Sequence, residues 1–351
     1  MVFDVASTPR SRIADIARAA GVSTATVDRV LHGRTPVREA TAQRVIKAAA
    51  ALDYLPERQL WRALQPAPME VAFLLPAGTN RFLVELGERI RQAGDLLSPY
   101  NVRCRVVYID SFDPADVAGA LRRHGRRAQG VVFMALEHPR VRDAVAQLVD
   151  AGVHVITLIS DLSQSRRSAY VGVDNRAAGR TAAQLIGRFL AGRSGPVAMI
   201  AGSLSYRGHE EREIGFLRVI EEQFPGLRVV GVREGLDDAD TNERLARALL
   251  RQHPDLVALY NIGGGAEGVG RALQTHRSPR GSERPVFVAH GLTPATRALL
   301  IDCTLDAVLN QDPQTMLIDC ARILANLRDG VAPQTGVAPL RIDIILRENL
   351  P

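Results

Sequence analysis

The apolar positions between residues 11 and 56 follow a helical period that is interrupted once. Residues 13–20 carry apolar side chains at spacings of three and four, which predicts a short amphipathic helix. Residues 21–23 break the pattern, and two further helical runs follow up to about residue 53. The apolar positions of the three runs are Ile13, Ile16, Ala17 and Ala20, then Val27, Val30 and Leu31, then Val45, Ile46, Ala49 and Leu52.

The interruption at 21–23 has the chemistry of a tight turn. Gly21 can adopt a left-handed backbone conformation without steric cost, and the Ser23 side chain can accept a hydrogen bond from the first free amides of the next helix. The second helix therefore begins at Thr24, and Pro36 suits the first turn of the third helix. Two helices joined in this way predict an all-α helix-turn-helix headpiece.

The outward face of the second helix suits the major groove of DNA. Thr24 and Ala25 are short and allow close approach, whereas Arg29 is a long, fork-shaped donor that matches a guanine edge. Asp28 lies on the same face. We therefore expect this helix to read base pairs.

From Met69 onward the chain alternates short apolar runs with amphipathic stretches, which indicates parallel sheets with right-handed crossovers. A longer connection at 160–175 suggests that one sheet ends there and a second begins. We expect an α/β core of two Rossmann-like parallel-sheet lobes. The predicted strands are 71–75, 102–109, 130–134, 154–159, 197–201, 227–232, 256–260, 286–289 and 307–309. The predicted helices include 81–97, 113–124, 139–151, 177–191, 211–223 and 240–253.

The charge is concentrated at the amino-terminal end of the chain. Of 351 residues, 46% are hydrophobic and the net charge is +6, values that fit a globular protein with an ample core. Residues 1–65 hold ten basic and six acidic residues, so most of the excess lies in under a fifth of the chain. A basic headpiece on a nearly neutral body is typical of a nucleic-acid binder.

The remaining composition points to a chain without structural metals, disulfides or cofactors. Cys104, Cys303 and Cys320 have neither CxxC nor Cys/His spacing, so we expect reduced, mostly buried thiols. The amino terminus lacks an apolar signal region, and no run approaches the ~20 apolar residues that cross a bilayer. We expect a cytoplasmic protein that associates with the nucleoid when it is bound to its operator, and no membrane partner.

The headpiece resembles the DNA-binding domain of the lactose-repressor (LacI) family. The resemblance is carried by A-D-I-A-x-x-A-G-V-S-x-x-T-V-x-R-V-L-x-G at residues 14–33, followed by V-R-E-x-T-x-x-R-V and L-x-Y-L-P. It implies that Thr24, Ala25 and Arg29 read bases. Asp28 departs from the family, which usually has serine there, and an acidic side chain beside phosphates is unfavourable. The residues expected to contact DNA are Ser23, Thr24, Ala25, Thr26, Arg29, His32, Arg34 and Leu64.

Residues 57–68 are expected to form the hinge or linker. In the family this segment folds into a hinge helix on DNA, and a leucine enters the minor groove at the operator centre. Ala63 stands at the matching spacing, so Leu64 is our choice for the aliphatic wedge. Alternatively, Leu60, Trp61 and Leu64 pack two hinges against each other in a dimer.

The rest of the chain resembles the periplasmic-binding-protein-like (type I) core of the same family. Four weaker motifs occur in the expected order: V-x-V-D-N-x-x-A-G at 171–179, G-S at 202–203, R-E-x-G-F at 212–216, and the terminal L-R-E-N-L-P. The expected domains are a headpiece at 1–57, a hinge helix or linker at 58–68, and a ligand-binding and dimerisation core at 69–351. Within the core we expect one lobe from about 69–172 with 291–320 and another from 173–290 with 321–346.

Ligands of open parallel sheets bind beyond the carboxyl ends of the strands. The side chains that follow the predicted strands combine amides, one arginine, one aspartate and aromatic rings, which suits a sugar or polyol. The candidates are Asn80, Phe82, Asp161, Ser203, Tyr206, Arg212, Asn261, His290 and Gln311. The family resemblance supports Asp161, Arg212, Asn261 and Gln311, whereas His290 replaces an aspartate that is frequent in the family.

Several of these candidates have simpler interpretations. Phe82 could serve ordinary helix packing, and Arg212 could pair with Glu210 or Glu213 on its own helix. His290 could be a structural hydrogen-bonding residue of its loop.

An enzyme is the alternative class of function. Residues 263–268 satisfy G-x-G-x-x-G after a strand, as in dinucleotide-binding proteins, but no acidic residue ends a strand about 20 residues later. The loop could instead be a flexible turn through which helix amides approach a ligand or the neighbouring lobe. His209-Glu210-Glu211 lacks the second histidine of a zinc protease, and neither G-x-S-x-G nor a Walker loop occurs. We therefore expect that the protein has no enzymatic activity.

These observations predict a homodimeric transcriptional regulator, most simply a repressor. Two headpieces would occupy the half-sites of a pseudo-palindromic operator in double-stranded DNA, and a small sugar or polyol effector would bind between the lobes. Pairing of dimers into tetramers stays open. The alternatives are a regulator that senses a phosphorylated metabolite or a protein partner, and a nucleotide-binding enzyme with an appended DNA-binding domain.

Overall fold

A computed structural model describes residues 12–32, 37–54, 67–276 and 284–351. The chain divides into two compact units, Met1–Pro68 and Met69–Pro351. Each unit has its own hydrophobic core. No helix in the described part of the chain has the length and apolarity that a bilayer crossing requires.

The first unit contains the three predicted helices. They are α1 (Ile13–Ala20), α2 (Thr24–His32) and α3 (Glu39–Ala51). Gly21 ends α1 in the left-handed conformation, with φ 65° and ψ 40°, as the turn chemistry predicted. Ile16, Val27, Val45 and Ile46 meet in a core that excludes water almost completely. The helix-turn-helix prediction is therefore confirmed.

The first sheet of the second unit has five parallel strands in the order β2-β1-β3-β4-β5. The central strands are buried on both faces, because helices cover the sheet on each side. The strands are β1 (Met69–Pro76), β2 (Val102–Ile109), β3 (Gly130–Phe133), β4 (His154–Leu158) and β5 (Ala169–Val171).

The second sheet has six strands in the order β11-β10-β9-β8-β6-β7, and only β11 is antiparallel to its neighbour. All nine predicted strands occur, so the prediction of two parallel-sheet lobes is confirmed. The strands are β6 (Gly195–Ala201), β7 (Leu227–Glu234), β8 (Ala258–Asn261), β9 (Val286–His290), β10 (Ala307–Asn310) and β11 (Asp343–Ile345).

Helices alternate with these strands, and several begin at an Asp or Asn that caps the helix. Asn80, Asp113, Asp174, Asp238 and Asp312 each accept hydrogen bonds from the first helical amides, which fixes the helix start close behind a strand. The helices are α4 (Arg81–Gln92), α5 (Gly94–Leu97), α6 (Pro114–Gly125), α7 (Pro139–Asp150), α8 (Asn175–Phe189), α9 (Arg207–Gln223), α10 (Ala239–Gln252), α11 (Ala266–Thr275), α12 (Pro294–Ile301) and α13 (Pro313–Arg328). Short 3-10 turns lie at Ser98–Tyr100 and Arg347–Asn349.

The division of the core into lobes differs from the expected one near the carboxyl terminus. We expected residues 291–320 in the first lobe, but β10 pairs with β9 inside the second sheet. We expected residues 321–346 in the second lobe, but all of α13 packs on the first lobe, where Met316, Cys320 and Leu324 join its core. The physical reason is that α13 is a crossover connection, and the chain then returns to the second sheet as β11.

Two smaller expectations also need correction. Residues 169–171, which we had assigned to the connection between the sheets, form β5 and pair with β4, so the first sheet ends only at Val171. A three-residue strand carries too little pattern to be distinguished from a loop. Cys303 is exposed, whereas Cys320 is buried and Cys104 is half-buried.

The helices α8 and α9 cross with their backbones in direct contact. A Cβ atom added at Gly179 would lie 1.9 Å from the carbonyl oxygen of Arg212, and one added at Gly215 would lie 2.1 Å from that of Arg176. Neither position can hold a side chain unless the helices move apart. This crossing therefore fixes the backbone of Arg212 against α8.

Replacing Gly179 by alanine should destabilise the core by about 1–3 kcal/mol, because the added methyl group overpacks the crossing. Urea unfolding followed by circular dichroism would measure the change. Gly119→Ala in α6 is the matched control, since a methyl group there meets open space. That variant should gain roughly 0.5–1 kcal/mol from helix propensity, and equal effects in both variants would contradict the packing argument.

Candidate functional site

The turn and the first residues of α2 form the candidate DNA-binding surface. Ser23 caps α2, with its Oγ accepting a hydrogen bond from the amide of Thr26 at 3.2 Å and lying 2.9 Å from the Thr26 hydroxyl. Thr24, Ala25 and Arg29 are exposed on the outer face, while Thr26 is half-buried. Thr26 thus supports the turn, and the other three side chains are accessible to a base edge.

Three of the expected DNA contacts cannot be compared with the structure. Arg34 and Leu64 lie outside the described residues, as do Leu60, Trp61 and Ala63 of the hinge. His32 ends α2, and its side chain is also outside the description.

A small cavity lies between the two lobes of the core, at the carboxyl ends of the strands. Five of the nine expected ligand residues line it: Asn80, Phe82, Arg212, His290 and Gln311. Its volume is about 50 Å³, which is room for a few water molecules and well below the roughly 300–1,000 Å³ of a small-molecule pocket. A ligand larger than water must therefore move the lobes or displace side chains.

Arg212 carries the dominant charge of the cavity. Its side chain is only 4% exposed, its Nε donates to Asn175 Oδ1 at 2.8 Å, and its Nη1 donates to the carbonyl of Ile262 at 2.7 Å. Burial lowers the pKa of Arg212, while the nearby tyrosines and Asp237 raise it. Arginine nevertheless keeps its proton in proteins. Among the described residues no hydrogen bond reaches Nη2, so this nitrogen is available to an acceptor in the cavity.

Gln311 offers the complementary chemistry. It follows β10 directly and is 8% exposed, and its Oε1 has no hydrogen-bond partner among the described residues. A buried acceptor without a partner is unfavourable by about 1–3 kcal/mol. A hydroxyl group in the cavity could donate to it and remove that penalty.

Asp237 also lines the cavity, although it was not among the residues expected from the sequence. Its Oδ1 accepts from the Gly264 amide at 2.6 Å, and its Oδ2 accepts from Asn80 Nδ2 at 3.0 Å. The second bond joins the two lobes. Leu236 and Asp237 both have positive φ angles, 54° and 58°, which turn the carboxylate back toward the cavity.

A signal for Asp237 existed, because β7 is followed by Gly-Leu-Asp-Asp-Ala-Asp. We considered no residue after β7, and its backbone turn could not be inferred from spacing. His209, one turn before Arg212 on α9, also lines the cavity and was not among our candidates.

Four expected ligand residues do not line the cavity. Asp161 is held by the guanidinium of Arg167 and by the Thr157 hydroxyl at 2.6 Å. Although burial opposes it, hydrogen bonding to Arg167 and Thr157 and to the amide of Leu162 lowers the pKa of Asp161. An ion pair within its own lobe therefore occupies the carboxylate that we expected to bind a ligand.

The other three serve packing and loop geometry. The Ser203 hydroxyl donates to Glu234 Oε1 at 3.1 Å. Tyr206 is 2% exposed, joins the hydrophobic core of the first lobe and packs edge-on against Phe112. Asn261 Nδ2 donates to the carbonyls of Gly263 and Gly264, at 2.8 and 2.9 Å. These bonds shape the glycine loop, by which we mean residues 263–265.

The simpler interpretations can now be compared with the geometry. Arg212 forms no ion pair with Glu210 or Glu213 among the described residues, and Phe82 borders the cavity. His290 is both a structural hydrogen-bonding residue and part of the lining, since its Nε2 lies 2.8 Å from the Tyr260 hydroxyl. In the glycine loop, the Gly264 amide donates a hydrogen bond to Asp237 Oδ1.

Two family descriptions match the chain. Residues 12–57 match "Bacterial regulatory proteins, lacI family", and residues 71–331 match "Periplasmic binding protein domain". The catabolite control protein A of Streptococcus mutans is 26% identical over 203 residues, which is 57% of this chain and 59% of that protein. The ribose operon repressor of Halalkalibacterium halodurans is 24% identical over 248 residues, which is 71% of this chain and 70% of that one.

Solved structures share the core fold. A solute-binding protein from Burkholderia graminis, solved in complex with D-arabinose, superposes with a TM-score of 0.71 at 22% identity. The superposition covers 81% of this chain and 98% of that one. It supports the two-lobed architecture of residues 69–351.

Two buried histidines make the core sensitive to acid. Burial and the charge of Arg212 lower the pKa of His290 well below its usual 6.5, with His209 contributing. Burial also lowers the pKa of His209, although Asp237 opposes the shift. Both imidazoles are therefore neutral in the folded core, and the unfolded chain binds protons that the folded chain does not.

The free energy of unfolding should fall as the pH decreases from about 7 toward 5, because unfolded histidines gain protons near pH 6.5. His290→Gln should make this dependence shallower, and thermal midpoints at several pH values would measure it. An unchanged slope in His290→Gln would contradict the assigned neutral state.

Proposed function

We infer the function of this chain from the family to which it belongs, the lacI family of bacterial regulatory proteins. A periplasmic-binding-protein domain forms the core of the chain. The chain is a DNA-binding transcriptional regulator, and its core is a domain of the sugar-binding class. We propose that it is a repressor and that a small polyhydroxylated molecule controls it from the cleft between the lobes.

The unsatisfied pair Arg212 and Gln311 is the observation that carries the effector proposal. A cation with a free Nη2 and a buried acceptor with no partner among the described residues line the same cavity. A sugar hydroxyl can accept from the first and donate to the second, because hydroxyl groups do both. Phe82 adds an aromatic ring for the apolar face of such a molecule.

Control would work through the contact between the lobes. The hydrogen bond from Asn80 to Asp237 ties the first lobe to the second across the cavity. Because the cavity is smaller than a sugar, an entering effector must move the lobes or displace side chains, and we propose that it breaks or replaces this bond. The effector then shifts the equilibrium between lobe arrangements by its difference in affinity for them.

The DNA complex that we propose is a homodimer on a pseudo-palindromic operator. One headpiece offers a single reading helix, and a two-fold protein places two such helices in adjacent major grooves. Two of the relatives are named as repressors of sugar operons, one of a ribose operon and the other of a sucrose operon. Those names support a sugar effector here without identifying it.

Arg29→Ala should weaken selective DNA binding by about 1–3 kcal/mol and leave non-selective binding nearly unchanged. Fluorescence anisotropy on the duplex that the wild-type protein selects from a random library, and on a mixed-sequence duplex, would separate the two effects. Lys47→Ala in α3, also exposed, removes the same charge away from the reading helix. If both variants lose the same affinity on both duplexes, α2 is not the reading helix.

Gln311→Leu and Arg212→Met should abolish the response to the effector while selective DNA binding persists. A panel of pentoses, hexoses, polyols and sugar phosphates, added to the DNA complex, provides the measurement. Arg218→Met is the control on the same helix, because its side chain is 66% exposed and pairs with Glu222. Circular dichroism would verify that each variant folds.

The panel also separates the alternatives. A response of the wild type to one neutral sugar that both site variants lack supports the proposal. A response to sugar phosphates alone favours a phosphorylated effector. A normal response in both site variants would remove Arg212 and Gln311 from the effector site.

A further inference from the structure

The first lobe carries a strongly cationic surface outside the cleft. The last turn of α6 and the loop after it read Arg-Arg-His-Gly-Arg-Arg at residues 122–127, with no acidic residue among them. Arg123, Arg126 and Arg127 are exposed, and none forms an ion pair with a residue that the structure describes. We call these three arginines, together with Arg105, the cationic surface.

Arg105 brings a fourth guanidinium to this place from β2. Its Nη2 donates to the carbonyl of His124 at 2.9 Å, and its Nη1 lies 3.4 Å from His124 Nδ1. Because arginine can only donate, the imidazole nitrogen accepts, and His124 is neutral. Burial, followed by the charges of Arg105, Arg123 and Arg127, lowers the pKa of His124. The charged groups that lower this pKa are all arginines, as expected for a cluster of basic side chains.

Helix geometry explains only part of this cluster. Basic side chains in the last turn of a helix interact favourably with its carbonyl end, which accounts for Arg123. Arg126 is the C-cap residue and can gain the same interaction, whereas Arg127 lies beyond the cap. Several exposed arginines elsewhere in the core are paired, as in Arg166 with Asp150 and Arg218 with Glu222. Like charges held together without counter-charges favour an anionic partner.

The cationic surface lies at the end of the lobe where the chain enters it. β1 begins at Met69, and its next residue, Glu70, exchanges hydrogen bonds with Gln129 at 2.8 and 2.9 Å. Gln129 is two residues from Arg127 in the same loop. The arginines therefore lie beside the first residues of β1, where the core begins.

We propose that the cationic surface contacts the phosphate backbone of the DNA that flanks the operator. The proposal rests on the proposed DNA-binding function. Duplex DNA presents one negative charge per ~1.7 Å, and guanidinium groups bind phosphate oxygens in bidentate fashion. Such contacts carry no sequence information, but they add affinity and salt dependence. An acidic protein would satisfy the same charges, but the position beside the chain entry favours DNA.

The test compares the full-length wild-type protein with an R123Q/R126Q/R127Q variant on two duplexes. Both duplexes contain the site that the wild-type protein selects from a random library. One ends at the site, and the other extends about one helical turn or more beyond it on each side. Affinity is measured by anisotropy over a range of salt concentrations. On the long duplex, the slope of log affinity against log salt should become shallower by about 0.9 for each phosphate that the variant no longer neutralises.

On the short duplex the two proteins should have the same slope. R180Q/R188Q/R251Q is the matched control, because it removes three exposed arginines from the second lobe. It should behave as the wild type on both duplexes. Equal slopes for the wild type and the R123Q/R126Q/R127Q variant on the long duplex would overturn the proposal. So would an equal decrease in slope on both duplexes, or the same decrease in the control.

The design separates this inference from the proposed function. If the wild-type protein selects no DNA sequence at all, the regulator proposal itself is wrong. If it selects a site and the R123Q/R126Q/R127Q variant binds the long duplex with the wild-type slope, only the cationic surface is excluded from binding DNA. Because the three side chains are exposed, thermal midpoints of this variant and the wild type should agree.

Discussion

The buried charge of Arg212 is the constraint on which the cleft depends. Removing a cation from water is unfavourable by several kcal/mol, and here two neutral oxygens, from Asn175 and Ile262, offset only part of that penalty. Both oxygens must therefore be positioned accurately. The close approach of α8 at Gly179 brings Asn175 within reach, and the residue that follows β8 supplies the Ile262 carbonyl. A helix crossing and a sheet edge thus meet at one guanidinium.

The same charge orders its neighbours. It favours neutral His290, which lies 2.8 Å from the Tyr260 hydroxyl, and Asp237 lies near it as well. Asp237 in turn accepts hydrogen bonds from the Gly264 amide and from Asn80 of the opposite lobe. The cavity therefore combines a few polar and charged groups with a mostly apolar lining, and each of its charged groups is already partly satisfied by the protein. A ligand has to offer hydrogen bonds that are at least as good as these.

Sequence reasoning located most of the fold because the strands are buried and follow one another with capped helices between them. It placed Asn80, Arg212, His290 and Gln311 at one edge of a sheet because residues behind parallel strands share that edge, and all four line the cavity. Their role in binding a ligand stays a prediction. It was wrong for Asp161, whose partner Arg167 lies in a loop that no periodicity describes. It missed Asp237 because the direction of that side chain depends on two residues with left-handed backbone conformations, Leu236 and Asp237. A pattern of apolar positions does not reveal such conformations.

The topology gives the proposed effector site and the DNA-binding helices a direct covalent connection. β1 runs from Met69, where the chain enters the core, to Pro76, four residues before Asn80 at the cavity. Eight extended residues span about 26 Å, and the strand is buried between β2 and β3, so it transmits movement as a rigid element. A ligand that displaces Asn80 from Asp237 therefore acts on one end of β1, and the residues leading to the headpiece leave from the other. Because the lobes are joined by crossover connections as well, the proposed effector response is a movement of the first lobe against the second.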